Sequence, residues 1–399
     1  MTVGFFLLHY PVFSETFVSK ELLTLQSLGV DGVIVCEQKN IKPPFHPHIT
    51  QIKFPIIEIY QKIFSNKFVP IIFAHLYWLF KNPIGYLKSF IIFIKFLNFH
   101  HLRVFIKSAY LAKQLSPKHL ALIYVHEVDS PCLYGLICSR LLNIPCGIIF
   151  HTQYLLAQNQ FLKQKISYAN FTIFQSIYSQ QIAGNPAKSF VVSTPGIDTD
   201  LFKPVQNFTF PKQVKLLTIG RLEEAKGYIH LLSAVKILSK NYPDILLTII
   251  GDGSLKPQFE KYIIDNKLQK NIKLLGFVPH GPELLKIIHQ HQYFILPSIV
   301  DSQKVHDVHP NVVKEAMACG LITITSQLGG INEIIQNKFN GFIINRINAK
   351  NIAKKISQIH HLSRIKKTNI SHQARLEILH NHQQQKVCQK LINVFFRFL

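Results

Sequence analysis

Short apolar runs alternate with stretches of helical periodicity along the chain. In the first half, residues 3–8, 33–36, 120–125, 146–150 and 190–193 have the pattern of buried strands. Residues 15–28 have helical spacing, with Ser14 as an N-cap and Gly29 as a stop. Strands that alternate with helices indicate a parallel sheet covered by helices, so an α/β fold is predicted.

The second half repeats this pattern. Strands are expected at residues 215–219, 245–250, 273–275, 293–296 and 321–325, and helices at 229–239 and from about 310 to 320. Two prolines and polar residues interrupt the pattern at 202–211. Because 399 residues exceed one ordinary core, we predict a first domain at 1–202, a second at 203–380 and an amphipathic helix at 381–399 that returns to the first domain.

The chain is strongly basic, with 44 Lys plus Arg against 21 Asp plus Glu and a net charge of +23. Such a surface favours phosphates or anionic lipid, although genome base composition also enriches lysine. The charge is spread over both halves without a nucleic-acid-binding motif, so no nucleic-acid partner is expected. The six cysteines form no C-x-x-C pair and are expected to be reduced thiols, with no metal bound.

Residues 59–126 contain nine Lys or Arg and no Asp or Glu. Basic, apolar helices are expected at about 60–118. Two interpretations stay open: helices that lie on an anionic membrane surface, or helices that pack on the sheet with extended lysines. No uninterrupted apolar run reaches the roughly 18 to 20 residues that span a bilayer, and the N-terminal run lacks a basic n-region. A cytoplasmic protein, peripheral at the inner face of the membrane, is expected.

Asp307 and Glu315 lie eight residues apart, across the predicted start of a helix near Asn311. A helix start presents free backbone N–H groups and a positive dipole end, which suit a diphosphate. A carboxylate beside it suits ribose hydroxyls. Alone, most such acidic pairs are solvated or capping residues.

Arg221 and Lys226 lie in a loop that follows a predicted strand and precedes a helix, between Gly220 and Gly227. Both cations are expected near the carboxyl edge of the sheet, where open α/β sheets bind ligands. In isolation a solvated loop with two cations is the better interpretation. The sequence has no Walker motif, G-x-S-x-G or H-E-x-x-H, so nuclease or kinase chemistry lacks support.

An ordered set of short motifs resembles family 4 of the retaining glycosyltransferases. The motifs lie at residues 195–202, 216–227, 249–253, 275–278, 296–298, 315–320, 329–333 and 340–342. Residues 10–17 and 301–311 are most similar to the colanic-acid and exopolysaccharide type. The resemblance implies the GT-B fold, in which two Rossmann-like domains have parallel sheets facing a central cleft.

The resemblance also implies roles for individual residues. Arg221 and Lys226 would hold the donor diphosphate, Glu315 the ribose, and Asp307 would lie near the donor sugar. The rest of the donor site would comprise Gly276, Phe277, Val278, Asn311 and Val312. His151 would approach the sugar from the acceptor side, which Ser14, Glu15 and Thr16 would line.

The implied reaction moves a sugar from a nucleoside-diphosphate sugar to a glycan or lipid-linked acceptor, with retention and without a metal or cofactor. The D-x-D pair at Asp198 and Asp200 lies in the linker-entry motif and is interpreted as structural. Asp307, Val308 and Asn332 depart from the family's usual Glu, Gly and Pro. The alternative is therefore a weak or inactive GT-B protein that binds anionic membrane surfaces.

Overall fold

The chain divides into two compact units. The computed structural model describes residues 1–12, 16–39, 47–59, 68–96, 99–126, 129–150, 161–205 and 209–399. The first unit comprises residues 1–196 and 387–399, and the second comprises 197–386. The boundary precedes the one expected after residue 202, because Ile197 and Phe202 are buried in the core of the second unit.

The first unit contains a seven-stranded parallel sheet in the order β3-β2-β1-β4-β5-β6-β7. The strands are β1 (Thr2–Tyr10), β2 (Asp31–Lys39), β3 (Ile56–Glu58), β4 (Leu122–Val125), β5 (Cys146–Phe150), β6 (Phe171–Phe174) and β7 (Ser189–Val191). Every residue of β4, β5 and β6 is buried, as expected for parallel strands that are covered on both faces.

Helices cover both faces of this sheet. They are α1 (Thr16–Ser27), α2 (Phe68–Lys81), α3 (Pro83–Lys95), α4 (Phe99–Leu115), α5 (Ser130–Leu142), α6 (Leu162–Tyr168) and α7 (Ile177–Ile182). Helices α2 to α5 contribute to the core on one face. On the other face, α1 packs with Leu391 and Phe395 of the C-terminal helix, which runs over Gln384–Phe396.

The second unit contains a six-stranded parallel sheet in the order β10-β9-β8-β11-β12-β13. The strands are β8 (Lys215–Ile219), β9 (Leu246–Ile250), β10 (Ile272–Leu274), β11 (Tyr293–Leu296), β12 (Ile322–Ser326) and β13 (Phe342–Ile344). Its helices are α8 (Tyr228–Leu238), α9 (Lys256–Asp265), α10 (Pro282–Ile288), α11 (Asn311–Ala318), α12 (Ala349–His360) and α13 (Arg364–Glu377). The C-terminal helix Gln384–Phe396 is α14.

Strand order in the second sheet reverses at β8, which pairs with β9 on one side and β11 on the other. Crevices at such a reversal, beyond the carboxyl ends of the strands, are the usual ligand sites of open α/β sheets. The loops that follow β8 and β11 therefore lie where a ligand-binding site is expected.

The apolar helices of the first unit raise the question of a membrane span. Among the residues that the structure describes, no helix combines the length and apolar content needed to cross a bilayer.

All six cysteines are buried and none forms a disulfide.

Candidate functional site

Two glycine turns at the carboxyl edge of the second sheet are in direct backbone contact. A Cβ at Gly251 would lie 1.9 Å from the carbonyl oxygen of Gly220, and Gly251 has φ +139°. The N–H of Leu222 donates to the carbonyl of Asp252 at 2.9 Å. The Gly-Asp-Gly turn at 251–253 therefore braces the loop after β8, which carries Arg221 and Lys226.

The same loop also touches the chain that follows β11. Gly227 has φ +65°, and a Cβ there would lie 2.1 Å from the carbonyl oxygen of Pro297. The N–H of Ile299 donates to the carbonyl of Ala225 at 2.9 Å. Only a glycine permits this approach, and it brings Lys226 beside the loop that carries Asp307.

Lys226 and Asp307 form a charge-assisted hydrogen bond at the strand-order reversal. Lys226 Nζ donates to Asp307 Oδ1 at 2.6 Å, and the two side chains are 16% and 22% exposed. Ser298 Oγ donates to Asp307 Oδ2 at 2.5 Å. Both carboxylate oxygens are thus engaged. A small recess beside them is lined by Asp307, Ser298, Thr325 and Ser326.

Arg221 faces solvent on the same loop. Its side chain is 73% exposed, and Nη1 lies 3.0 Å from Glu223 Oε1. An exposed pair of this kind contributes little to stability and exchanges readily. The guanidinium is therefore accessible to an anion, whereas the ammonium of Lys226 is held in place.

Glu315 lies within α11, whose first two residues are Asn311 and Val312. Glu315 Oε1 is 3.1 Å from His280 Nε2, and both side chains are largely buried. His280 follows Gly276, Phe277 and Val278 after β10 and was not among the predicted site residues. The structure thus brings Glu315 to the 276–280 loop.

Phe277 and Gly276 leave the surface of that loop open. Phe277 is exposed to solvent. Gly276 has φ +71°, and no atom lies within 4 Å of the position that a Cβ would take. Both residues precede His280, the partner of Glu315, in the same loop. An exposed aromatic ring can stack on a flat ring, and a carboxylate can accept hydrogen bonds from hydroxyl groups.

A buried group of basic residues lies on the inner side of α11 and was also missed from the sequence. Burial lowers the pKa of Lys314 to about 7, and the neighbouring Glu315 partly opposes this shift. Burial, Lys314 and His382 hold the pKa of His309 well below its ordinary value. The sequence could have indicated the burial of Lys314 through helical spacing. Lys314 precedes the apolar, buried Met317 by three residues, so both lie on the inward face of the helix.

Val308 and Asn332, which depart from the family pattern, differ in their surroundings. Val308 is buried, and a Cβ at Gly329 would lie 2.5 Å from its Cα. The N–H of Gly330 donates to the Val308 carbonyl at 2.8 Å. The Val308 side chain thus packs inward. Asn332 is exposed on the short helical turn Ile331–Glu333.

The predicted acceptor-side residues fall mainly outside the part of the chain that the structure describes. Ser14, Glu15 and His151 lie outside it, and Thr16 is the first residue of α1. The D-x-D pair lies in a turn: Asp198 Oδ1 accepts the N–H groups of Asp200 and Leu201 at 3.2 and 3.0 Å. These bonds are those of an Asx turn.

Comparison with known proteins identifies the second unit. Residues 201–377 match the family model of glycosyl transferases group 1. The amylovoran biosynthesis glycosyltransferase AmsK of Erwinia amylovora is 31% identical over 40% of this chain and 39% of its own. The putative colanic acid biosynthesis glycosyltransferase WcaL of Escherichia coli is 22% identical over 54% of this chain and 52% of its own.

A third relative is the UDP-Gal:alpha-D-GlcNAc-diphosphoundecaprenol alpha-1,3-galactosyltransferase of Escherichia coli. It is 27% identical over 59% of this chain and 65% of its own. The chain thus matches less than two thirds of the length of each of these three relatives.

Solved structures extend the likeness to both units. A glycosyltransferase from Rickettsia africae has a TM-score of 0.74 at 17% identity and covers 100% of this chain and 98% of its own. Anabaena Alr3699/HepE, in complex with UDP and glucose, has a TM-score of 0.70 at 16% identity and covers 100% of both chains. The predicted α/β class and GT-B fold are confirmed. The chain therefore carries a glycosyl transferases group 1 domain at residues 201–377, is similar over part of its length to glycosyltransferases of amylovoran and colanic acid biosynthesis, and has the GT-B fold.

Proposed function

We propose that this protein transfers a sugar from a nucleoside-diphosphate sugar to a glycan or lipid-linked acceptor in cell-surface polysaccharide synthesis. The juxtaposition of Lys226, Asp307 and Ser298 at the strand-order reversal carries the proposal. The galactosyltransferase activity of one relative, and the UDP and glucose bound by a structural neighbour, support the donor class. Retention of configuration and independence of metal are part of the proposal and rest on the resemblance.

The leaving diphosphate gains negative charge as the glycosidic bond breaks. In the proposed complex, Arg221 swings from Glu223 to the phosphate oxygens, and Lys226 adds a second positive charge. Preorganised cations of this kind stabilise charge that develops in the transition state. The first N–H groups of α11, at Asn311 and Val312, would donate to the same diphosphate.

Asp307 has two tasks in the proposed reaction. Its bonds to Lys226 and Ser298 hold the ammonium in place before the donor binds. Near the donor sugar, its carboxylate would then accept a hydrogen bond from a sugar hydroxyl. Because Asp is one methylene shorter than the usual Glu, Ser298 compensates by fixing the direction of the carboxylate.

Glu315 would bind the two ribose hydroxyls, with His280 holding its carboxylate. Phe277 and its neighbours Gly276 and Val278 would flank the base. His151, Ser14, Glu15 and Thr16 remain predicted acceptor-side residues on the strength of the resemblance alone. A peripheral location at the inner face of the cytoplasmic membrane completes the proposal, since lipid-linked acceptors reside there.

A specific observation favours the second candidate, a weak or inactive GT-B protein that binds anionic surfaces. Lys226 is already neutralised by Asp307. Donor binding must therefore compete with an existing short bond. If that bond persists, only Arg221 remains for the diphosphate.

Calorimetric titration with UDP, GDP, ADP, TDP and their sugars distinguishes the two candidates, with Glu315→Ala as the control variant. Binding of one nucleotide to the parent and not to the variant supports the transferase and identifies the base. A transfer assay with the matching donor then reads configuration by NMR. Absence of binding across the panel favours the inactive protein.

A further inference from the structure

A broad apolar face of the first unit is exposed on α2 and α3. Phe80 is 82% exposed and Ile84 is 68% exposed. The other exposed apolar residues of the two helices are Val69, Ile72, Phe73, Leu76, Leu79, Leu87, Phe90, Ile91 and Ile94. Monomeric proteins rarely leave so continuous an apolar surface in water, so this face requires a partner.

The opposite sides of both helices are firmly packed. Trp78 Nε1 donates to the Ala109 carbonyl at 2.9 Å, which fixes α2 on α4. Asn82, at the corner between α2 and α3, donates to the carbonyls of Arg140 and Leu141 at 3.1 and 2.9 Å. A Cβ at Gly85 would lie 2.2 Å from the Arg140 carbonyl oxygen. The exposed face is thus a separate surface and not a displaced core face.

A cavity of about 1140 Å³ opens beside this face, with Ile84 and Ile91 in its wall. Leu120, Pro145 and Asn170, which precede β4, β5 and β6, line its floor. The cavity therefore lies at the edge where the strands begin. Strand β5 ends at Phe150, so the cavity lies at the end of this strand opposite to Phe150, the residue that precedes the predicted acceptor residue His151 in the sequence.

The charged side chains in the cavity wall are all basic. Lys81, Lys88 and Arg140 line it together with His119, and no Asp or Glu does so among the described residues. Arg140 donates to neutral oxygens: Ser139 Oγ at 3.1 Å and the Tyr168 carbonyl. Because no Asp or Glu side chain lines this cavity in the described part of the chain, its three basic side chains favour an anion from outside.

The positions of charge and apolar surface favour one occupant. Lys88 and Lys95 share the exposed face of α3 with Ile84, Leu87 and Ile91. Aliphatic side chains flanked by lysines match the boundary between acyl chains and anionic headgroups. A second copy of the chain would place like charges against one another, which opposes self-association through this face.

We propose that the α2–α3 face docks on an anionic phospholipid bilayer and that the adjoining cavity holds a headgroup phosphate between Lys81, Lys88 and Arg140. The apolar side chains enter the acyl boundary, and the lysines contact neighbouring headgroups. This inference deepens the proposed peripheral location and rests on it. Its test measures vesicle binding and not sugar transfer, so the two can fail separately.

Co-sedimentation of the full chain with vesicles tests the proposal. The vesicles contain phosphatidylcholine alone or with added phosphatidylglycerol. We expect binding only to the anionic vesicles. Lys81→Gln with Lys88→Gln should weaken it by roughly tenfold or more at low salt, since each lysine near an anionic surface contributes measurably. The matched control is Lys240→Gln with Lys261→Gln, two exposed lysines of the second unit, and should bind as the parent does.

A second variant, Phe73→Ser with Phe80→Ser and Leu87→Ser, removes exposed apolar surface and should also reduce vesicle binding. Because all three positions are exposed, thermal melting should be unchanged and verifies folding. Equal binding of both variants and the parent overturns the proposal. If calorimetry shows that the parent binds inorganic phosphate and the lysine variant does not, while both bind vesicles equally, the cavity is assigned to free phosphate and the lipid assignment is overturned. Conversion of a parent dimer to a monomer by the apolar variant, with unchanged vesicle binding, would assign the face to a second copy.

Discussion

Lys226 Nζ and Asp307 Oδ1 are 2.6 Å apart although 81 residues separate them in the chain. The contact depends on the close approach of Gly227 to the Pro297 carbonyl. It places a cation and an anion together at the point where a diphosphate and a sugar would meet. In the proposed donor complex, this pair sets the charge that the donor encounters.

Loss of either phosphate-binding cation should nearly abolish sugar transfer. For Lys226→Ala and Arg221→Ala we expect kcat to fall by about 10²–10³, because each removes a charge that opposes the developing negative charge of the leaving group. Initial rates with the donor identified by calorimetry measure this effect. Lys261→Ala, an exposed lysine of α9, is the matched control. Unchanged turnover in both variants would refute the site assignment.

Glu315 and His280 should act as a unit in donor binding. Glu315→Ala removes the carboxylate and should eliminate measurable nucleotide binding, whereas His280→Ala should weaken binding less, because His280 only positions Glu315. For the double variant we use Glu315→Gln, whose amide keeps a measurable affinity; adding His280→Ala to it should have little further effect, since contacting residues are non-additive. Titration calorimetry of these variants measures this. Additive losses would show that His280 binds the nucleotide independently of Glu315.

Much of the second unit could be predicted from its pattern of apolar residues. Five of its six strands were expected within a residue of their observed ends; β13 was missed because three residues, Phe342–Ile344, give little periodicity. In the first unit β3 was missed for the same reason, and β6 was also missed. The predicted boundary followed the prolines of 202–211, but the burial of Phe202 assigns the preceding turn to the second unit.

The site was harder to predict than the sheets. The motifs indicated Lys226 and Asp307 separately, but their contact depends on two loops that touch only in three dimensions. His280 follows a motif and carries no helical or strand signal of its own. For the basic helices of the first unit, one face packs on α4 and α5, as the packing interpretation expects. The other face exposes apolar side chains, and its contact with a membrane stays a prediction.

The backbone contact between Gly251 and Gly220 should be essential to stability. Gly251→Ala introduces a methyl group 1.9 Å from a carbonyl oxygen at φ +139°. We expect it to destabilise the fold by about 1–3 kcal/mol, the usual cost of such strain. Gly281→Ala is the matched control, because nothing lies within 4 Å of its Cβ position. Urea denaturation measures both, and equal midpoints would contradict the close contact.

The buried Lys314 should make stability depend on pH in a defined direction. Its pKa falls from 10.5 to about 7 on folding, because burial disfavours the charged form. Between these values the unfolded chain holds a proton that the folded chain has released, so its contribution to the free energy of unfolding rises with pH. Below about pH 7 both states are protonated, and the penalty of burying the charge is fully present. The charge of Glu315 opposes this shift, and Lys314 in turn lowers the pKa of the buried His309.

Lys314→Met removes this titration while it keeps the length of an unbranched side chain. Between pH 7 and 9, we expect the free energy of unfolding to rise less in the variant than in the parent. The parent should therefore lose more stability than the variant when the pH is lowered from 9 to 7. Urea denaturation at several pH values measures the difference in the free energy of unfolding between the parent and the variant. The contributions of the other ionisable groups largely cancel in this difference. Lys261→Met, at an exposed position, should follow the parent. Parallel pH profiles for the parent and Lys314→Met would mean that Lys314 stays protonated in the folded protein, with Glu315 as its counterion.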